Sequence, residues 1–100
     1  MMEVKWLKEA LQDLKEIGRF IAQDDPAAAY RVLSKIEAAA LSLQQHPHQG
    51  RPGRVSKTRE LVISGLPYIL PYYLKQQEVR ILAVMHTSRK WPDEFQNLLP

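Results

Sequence analysis

One histidine and a scatter of arginines are the groups in this chain that could move a proton or steady a phosphate. Cleaving RNA through its own ribose 2'-hydroxyl needs a general base, a general acid and cations for the charge that builds on phosphorus. His86, Arg59, Arg80, Arg89 and Lys57 are of the right types. Counted along one continuous strand, His86 and Arg80 have the same parity, which predicts that both project from one face of a sheet. The same set is also common on basic surfaces. On chemistry alone, a structural or binding role for His86 outweighs a catalytic one.

A second cluster lies upstream. Residues 46 to 59 hold four cations, Arg51, Arg54, Lys57 and Arg59, and no acid. Such a local field attracts phosphate or an acidic protein segment, and it equally suits a solvated loop. Arg59 has the further option of an ion pair with Glu60 or with a helix acid. Gly50 and Gly53 read as turn residues that tolerate positive φ. They do not make a phosphate loop, because the glycine spacing and the following Lys-Ser/Thr are missing. His46 and His48 have no carboxylate or thiolate beside them, so neither a metal nor another cofactor is expected. Trp91 is expected to cover the sheet edge rather than stack on a base. For Tyr68, Tyr72 and Tyr73, core packing with hydroxyls at the rim is favoured over a base-stacking platform.

These groups have to be positioned by a chain of 100 residues, enough for one core, so residues 1–100 are read as a single domain. The core is expected over about 3–92, followed by a polar tail, 93–100, whose final leucines, Leu98 and Leu99, either pack back or are ordered only by a partner. Zero cysteines exclude a disulfide framework and fit a reducing compartment. No apolar run approaches the ~20 residues of a membrane span, and no signal-peptide core opens the chain, so a cytoplasmic protein without a membrane partner is expected. The net charge of +3 is light for a dedicated nucleic-acid binder.

Val4-Lys5-Trp6 predicts a brief first strand. Leu7, Ala10, Leu11, Leu14, Ile17, Gly18 and Ile21 then fall at three- and four-residue steps, the apolar stripe of a helix, with Asp13 on the solvent-facing side. Asp25-Pro26 caps a second helix carrying Ala29, Val32, Leu33, Ile36, Ala40 and Leu43, and His46-Pro47 ends it. Small residues at Gly18, Ala28, Ala29 and 38–40 would let the two axes approach closely. The period then becomes strand-like over 59–63, 68–74 and 79–85, a three-stranded antiparallel meander. Pro71 cannot donate to a ladder, so a bulge or local widening is expected there. Simple alternation puts Leu82 and Val84 opposite Ile81, Ala83 and Met85, which makes the last strand central, with the first strand beside it. Leu14, Ile36 and Leu82 are expected to share one core. The fold class is therefore α+β: an N-terminal short strand and an antiparallel helical hairpin packed on an antiparallel-rich sheet completed by the meander.

Four short signatures follow the helices in fixed order: Gly50-Arg51-Pro52-Gly53-Arg54-Val55, Thr58-Arg59-Glu60-Leu61, Pro67-Tyr68-Ile69-Leu70-Pro71-Tyr72, and His86-Thr87-Ser88-Arg89-Lys90-Trp91-Pro92. In that order and spacing the chain resembles the ParE branch of the RelE/ParE toxin superfamily of type II toxin-antitoxin systems. The resemblance implies a toxin that arrests growth and stabilises plasmids, inhibits DNA gyrase, and is held by a cognate antitoxin in a hetero-oligomer. It implies a target-binding set of Arg51, Arg54, Lys57, Arg59, His86, Arg89 and Trp91. The alternative is a RelE-like, metal-independent ribonuclease that cuts ribosome-bound messenger RNA, with His86, Arg59, Arg80 and Arg89 as its catalytic candidates. RelE-type ribonucleases usually carry an arginine in the middle strand, where this chain has Tyr68-Ile69-Leu70. They often end in an acid-base Tyr or His-Tyr pair, where the last strand here runs into His86-Thr87-Ser88-Arg89. That departure favours the gyrase reading.

Overall fold

The computed structural model describes residues 1–88, 98 and 99. The chain runs β1 (Glu3–Trp6), α1 (Lys8–Ala22), α2 (Pro26–Ser42), β2 (Arg51–Pro52), β3 (Arg59–Val62), β4 (Tyr68–Lys75), β5 (Glu78–Ile81) and β6 (Met85–His86). Leu7 turns the strand into α1 without a side-chain cap, and its N–H donates to the Ile81 carbonyl at 3.0 Å. Asp25 caps α2 as its sequence predicts, Oδ1 accepting the Ala28 N–H at 3.1 Å with Pro26 in the first turn. Gly18 does bring the helices close, since a Cβ there would lie 2.8 Å from Leu33 Cδ1.

The strands lie in the order β1-β5-β4-β3-β2, with β6 joining β4 beyond the end of β5. β1 runs parallel to β5, and the other pairs are antiparallel. The N-terminal strand therefore sits beside the end of the meander, as expected. The short β2, which pairs Arg51 with Glu60 and Pro52 with Arg59, falls in the stretch read from sequence as loop. β4 and β5 are joined by Gln76 and Gln77 at φ 52° and 66°, a two-residue turn with both residues left-handed and neither a glycine.

The bulge expected at Pro71 is present, and it corrects the predicted faces. Ile81 lies opposite Tyr72 and Met85 opposite Ile69, so four steps along β5–β6 match three along β4. Pro71 accepts the Leu82 N–H at 2.8 Å and has no N–H to return. The Val84 N–H instead reaches Asp13 Oδ2 at 3.1 Å, so Asp13 is half-buried and ties α1 to the bulge rather than facing solvent. One extra residue inverts the alternation beyond it. Ile81 and Val84 both pack under the helices with Ile36, Leu43, Leu70 and Tyr72. Leu82, Ala83 and Met85 pack on the other side with Ile69 and Tyr73, beneath Leu7, Leu98 and Leu99. Leu82 is thus fully buried, yet not in the core that holds Ile36 and borders Leu14.

Candidate functional site

The basic segment is anchored by one buried phenol. Tyr72, on β4, donates from its hydroxyl to the Pro47 carbonyl at 2.7 Å and accepts the Gly50 N–H at 2.9 Å. Burial, the largest influence, raises its pKa above the usual tyrosine value. Gly50 is needed for this approach and not for its φ: a Cβ would lie 2.7 Å from the Tyr72 ring and hydroxyl and 2.9 Å from the Glu60 carbonyl. Among the described glycines the positive φ belongs to Gly65 instead of Gly50 or Gly53.

The four cations divide into two pairs, because successive side chains of β3 point to opposite faces. On the face away from the helices, Arg51 Nε and Nη2 each lie 2.9 Å from Glu60 Oε1, and Arg54 Nε is 3.5 Å from Oε2. Glu60 is only 3% exposed, so a carboxylate there must be paired to stay charged. Arg51 and Arg54 meet that need while keeping much of their length in solvent.

Arg59 points the other way. Its Nη1 donates to the Gly50 carbonyl at 2.7 Å and to the His48 carbonyl at 3.2 Å, and the ion pair with Glu60 read as an option from sequence does not form. Lys57 sits at φ 69° on the turn between β2 and β3. That turn is closed by Gly53 N–H to Thr58 O at 2.9 Å and Thr58 N–H to Val55 O at 3.1 Å.

His86 lies elsewhere. It pairs with Tyr68 across β6–β4, the two rings meeting edge-on at 6.0 Å, and its Nδ1 is 2.9 Å from Ser88 Oγ. The register places His86 opposite Tyr68 and Arg59 opposite Tyr72, four residues along β4 and on its two different flanks. That is roughly 13 Å along the strand alone. Arg80 pairs with Tyr73, not with the His86 side of the sheet, so the predicted shared face is wrong; the bulge puts the two on opposite faces. There Arg80 Nε holds Glu78 at 2.9 Å and the guanidinium lies 5.8 Å from the Tyr73 ring centroid. Its pKa is raised, chiefly by the Tyr73 hydrogen bond and then by Glu78. Arg89 and Trp91 fall outside the described residues. The described members of the proposed acid-base set therefore do not converge on one reacting atom.

Residues 4–91 match the family described as "ParE toxin of type II toxin-antitoxin system, parDE". The chain belongs to the ParE toxin family. Relatives of this ParE-family chain include a protein named Putative toxin Y4kP from Sinorhizobium fredii. It is 47% identical over 89 residues, which span 89% of this chain and 92% of the relative. Toxin RelE2 of Caulobacter vibrioides is 37% identical over 89 residues, 89% of this chain and 99% of that one. A solved structure titled "Chromosomal ParDE TA system from P. aeruginosa" superposes with a TM-score of 0.78 at 30% identity, over 86% of this chain and 96% of its own. The α+β arrangement of this ParE-family toxin is that of its solved relative.

Sequence reasoning passed over Tyr72 and Asp13. The signal for Tyr72 was a phenol opposite Arg59 at the mouth of a loop needing donors and acceptors. For Asp13 it was an acid bordering the apolar stripe of α1, an acceptor for the Val84 N–H that the bulge takes out of the ladder.

Proposed function

We propose that this toxin acts by binding and not by chemistry: it inhibits DNA gyrase, and a cognate antitoxin neutralises it in a toxin-antitoxin hetero-oligomer. The observation that carries the reading is the family match over residues 4–91. The separation of His86 from Arg59 and Arg80 supports it, since a general base and its charge-stabilising cations must share one centre. The gyrase-contacting set is Arg51, Arg54, Lys57, Arg59, His86, Arg89 and Trp91. Phe20, Tyr30 and Leu41, all more than half exposed on α1 and α2, supply apolar surface of the kind an antitoxin segment folds onto.

A ribonuclease acting on ribosome-bound messenger RNA is the second reading. It is favoured by the 37% identity to a protein named Toxin RelE2 and by the exposed imidazole of His86.

Purified gyrase supercoiling, run beside in vitro translation, separates the two. The expected outcome is blocked supercoiling, spared translation, and a His86→Gln variant as active as the wild type. Blocked translation with gyrase spared, abolished by His86→Gln, establishes the ribonuclease. Production of the chain alone should arrest growth, and co-production with its antitoxin should rescue it. Harmless, high-yield production of the folded chain by itself would overturn the toxin assignment.

A further inference from the structure

The division of the basic segment leaves two of its cations without a carboxylate. Arg51 and Arg54 share Glu60, whereas among the described residues neither Lys57 nor Arg59 makes an ion pair. Both line a cleft of about 220 Å3 whose other walls are His48, Pro52, Thr58 and Leu74. No acid lines it.

Arg59 is preorganised there. Its Nη1 corner is pinned by the Gly50 and His48 carbonyls, and those carbonyls are held in turn by the loop that Tyr72 anchors. The Nε–Nη2 edge has no hydrogen bond among the described residues, and it is the edge that matches two oxygens of an oxyanion. Lys57 adds a point charge from the turn between β2 and β3.

We infer that the His48–Lys57–Arg59 cleft is a binding site for the phosphate of a nucleotide or nucleic acid. A lone carboxylate would be satisfied by the Arg59 fork and would leave the Lys57 ammonium unmatched. A phosphate presents a third oxygen and a second charge, and the cleft has room for the sugar beside it. The site lies apart from His86, so it stands whichever target the toxin acts on.

Amide chemical shifts of the full chain, titrated at low salt with inorganic phosphate, adenosine 5'-monophosphate and a short single-stranded oligonucleotide, test this. Saturable movement of Gly53, Thr58 and Arg59 is expected with phosphate and not with chloride at equal ionic strength. Lys57→Gln and Arg59→Lys should each weaken binding roughly tenfold, the effect of losing one hydrogen bond to a charged group. His48→Gln should weaken it less, and Lys15→Gln on the far side of α1 should leave it unchanged. Arg59→Lys keeps the charge and loses the fork, and Lys57→Gln leaves the loop anchors intact, so one of the two remains informative if the other unfolds. A free phosphate as the natural ligand predicts equal affinity for the first two probes; a nucleic-acid backbone predicts that the oligonucleotide binds tightest, still dependent on Lys57. Linear, chloride-like shifts, wild-type affinity in folded Lys57→Gln, or binding of an acidic peptide without phosphate would each overturn the assignment.

Discussion

The two faces of the sheet are built to different depths. Beneath the helices, side chains from both helices and from four strands close around Ile36, Leu43, Leu70, Tyr72, Val79 and Ile81, all 0% exposed. On the opposite face five buried residues, Ile69, Tyr73, Leu82, Ala83 and Met85, are covered, among the described residues, by Leu7 and by Leu98 and Leu99 from a distant part of the chain. Burial of a side chain is thus a poor guide to what it supports. Ile36 and Leu82 are equally inaccessible, but one lies between the helices and the sheet, and the other, among the described residues, packs beneath Leu7, Leu98 and Leu99.

The sharpest way to break this comparison is to truncate one residue on each face. Ile36→Ala should lower the unfolding free energy by roughly 3 to 5 kcal/mol, and Leu82→Ala by about 2 to 3 kcal/mol, because the thinner side collapses more readily around the cavity. Urea unfolding of both variants measures the difference, and equal losses would contradict it.

Tyr72→Phe should cost about 1 to 3 kcal/mol, since it leaves the Gly50 N–H and the Pro47 carbonyl without their partner. The same residue sets an alkaline limit. Its pKa is raised by burial, so its contribution is fully present below the unfolded tyrosine value of about 10 and is lost as pH rises through the folded value. Stability measured across that window should fall more steeply in the wild type than in Tyr72→Phe.

Asp13→Ala tests the link between the helix layer and the bulge, and should cost roughly 1 to 2 kcal/mol in urea unfolding through the unpaired Val84 N–H. The smallest effect has the opposite sign. Replacing Gln76-Gln77 by Asn-Gly should stabilise by about 0.5 to 1 kcal/mol, because both positions already hold the left-handed angles that this pair adopts most easily. A lower melting temperature in that variant would mean the glutamine side chains matter more than their backbone strain.

Much of this architecture was legible in the residues themselves. The three- and four-residue spacing in α1 and α2, the Asp25-Pro26 cap and the strand order all follow from local chemistry, and the missing N–H of Pro71 announced the bulge. Its consequence was lost in counting: without the extra residue inserted, Arg80 and His86 fall on one face, and Val84 falls with Leu82 instead of with Ile81. The site was legible as composition only. That Glu60 claims Arg51 and Arg54 but not its neighbour Arg59 depends on which way each side chain points from β2 and β3, and β2 is too short to give a periodic signal. Packing of Leu98 and Leu99 back onto the domain was one of two options the sequence left open, and the face they cover is a contact between distant parts of the chain that no local pattern encodes.

The bulge opposite Pro71 has a consequence for insertions and deletions. It acts on the last strand as a reading frame acts on a message. Removing any one of residues 82–84 would let β5 run straight into β6 with no mismatch against β4, and every residue of β6, His86 included, would keep its partner and its side of the sheet. A deletion of one residue here is the length change this strand can absorb without exchanging the molecule's two surfaces beyond it, whereas the same deletion inside β5 would shift the pairing of everything that follows.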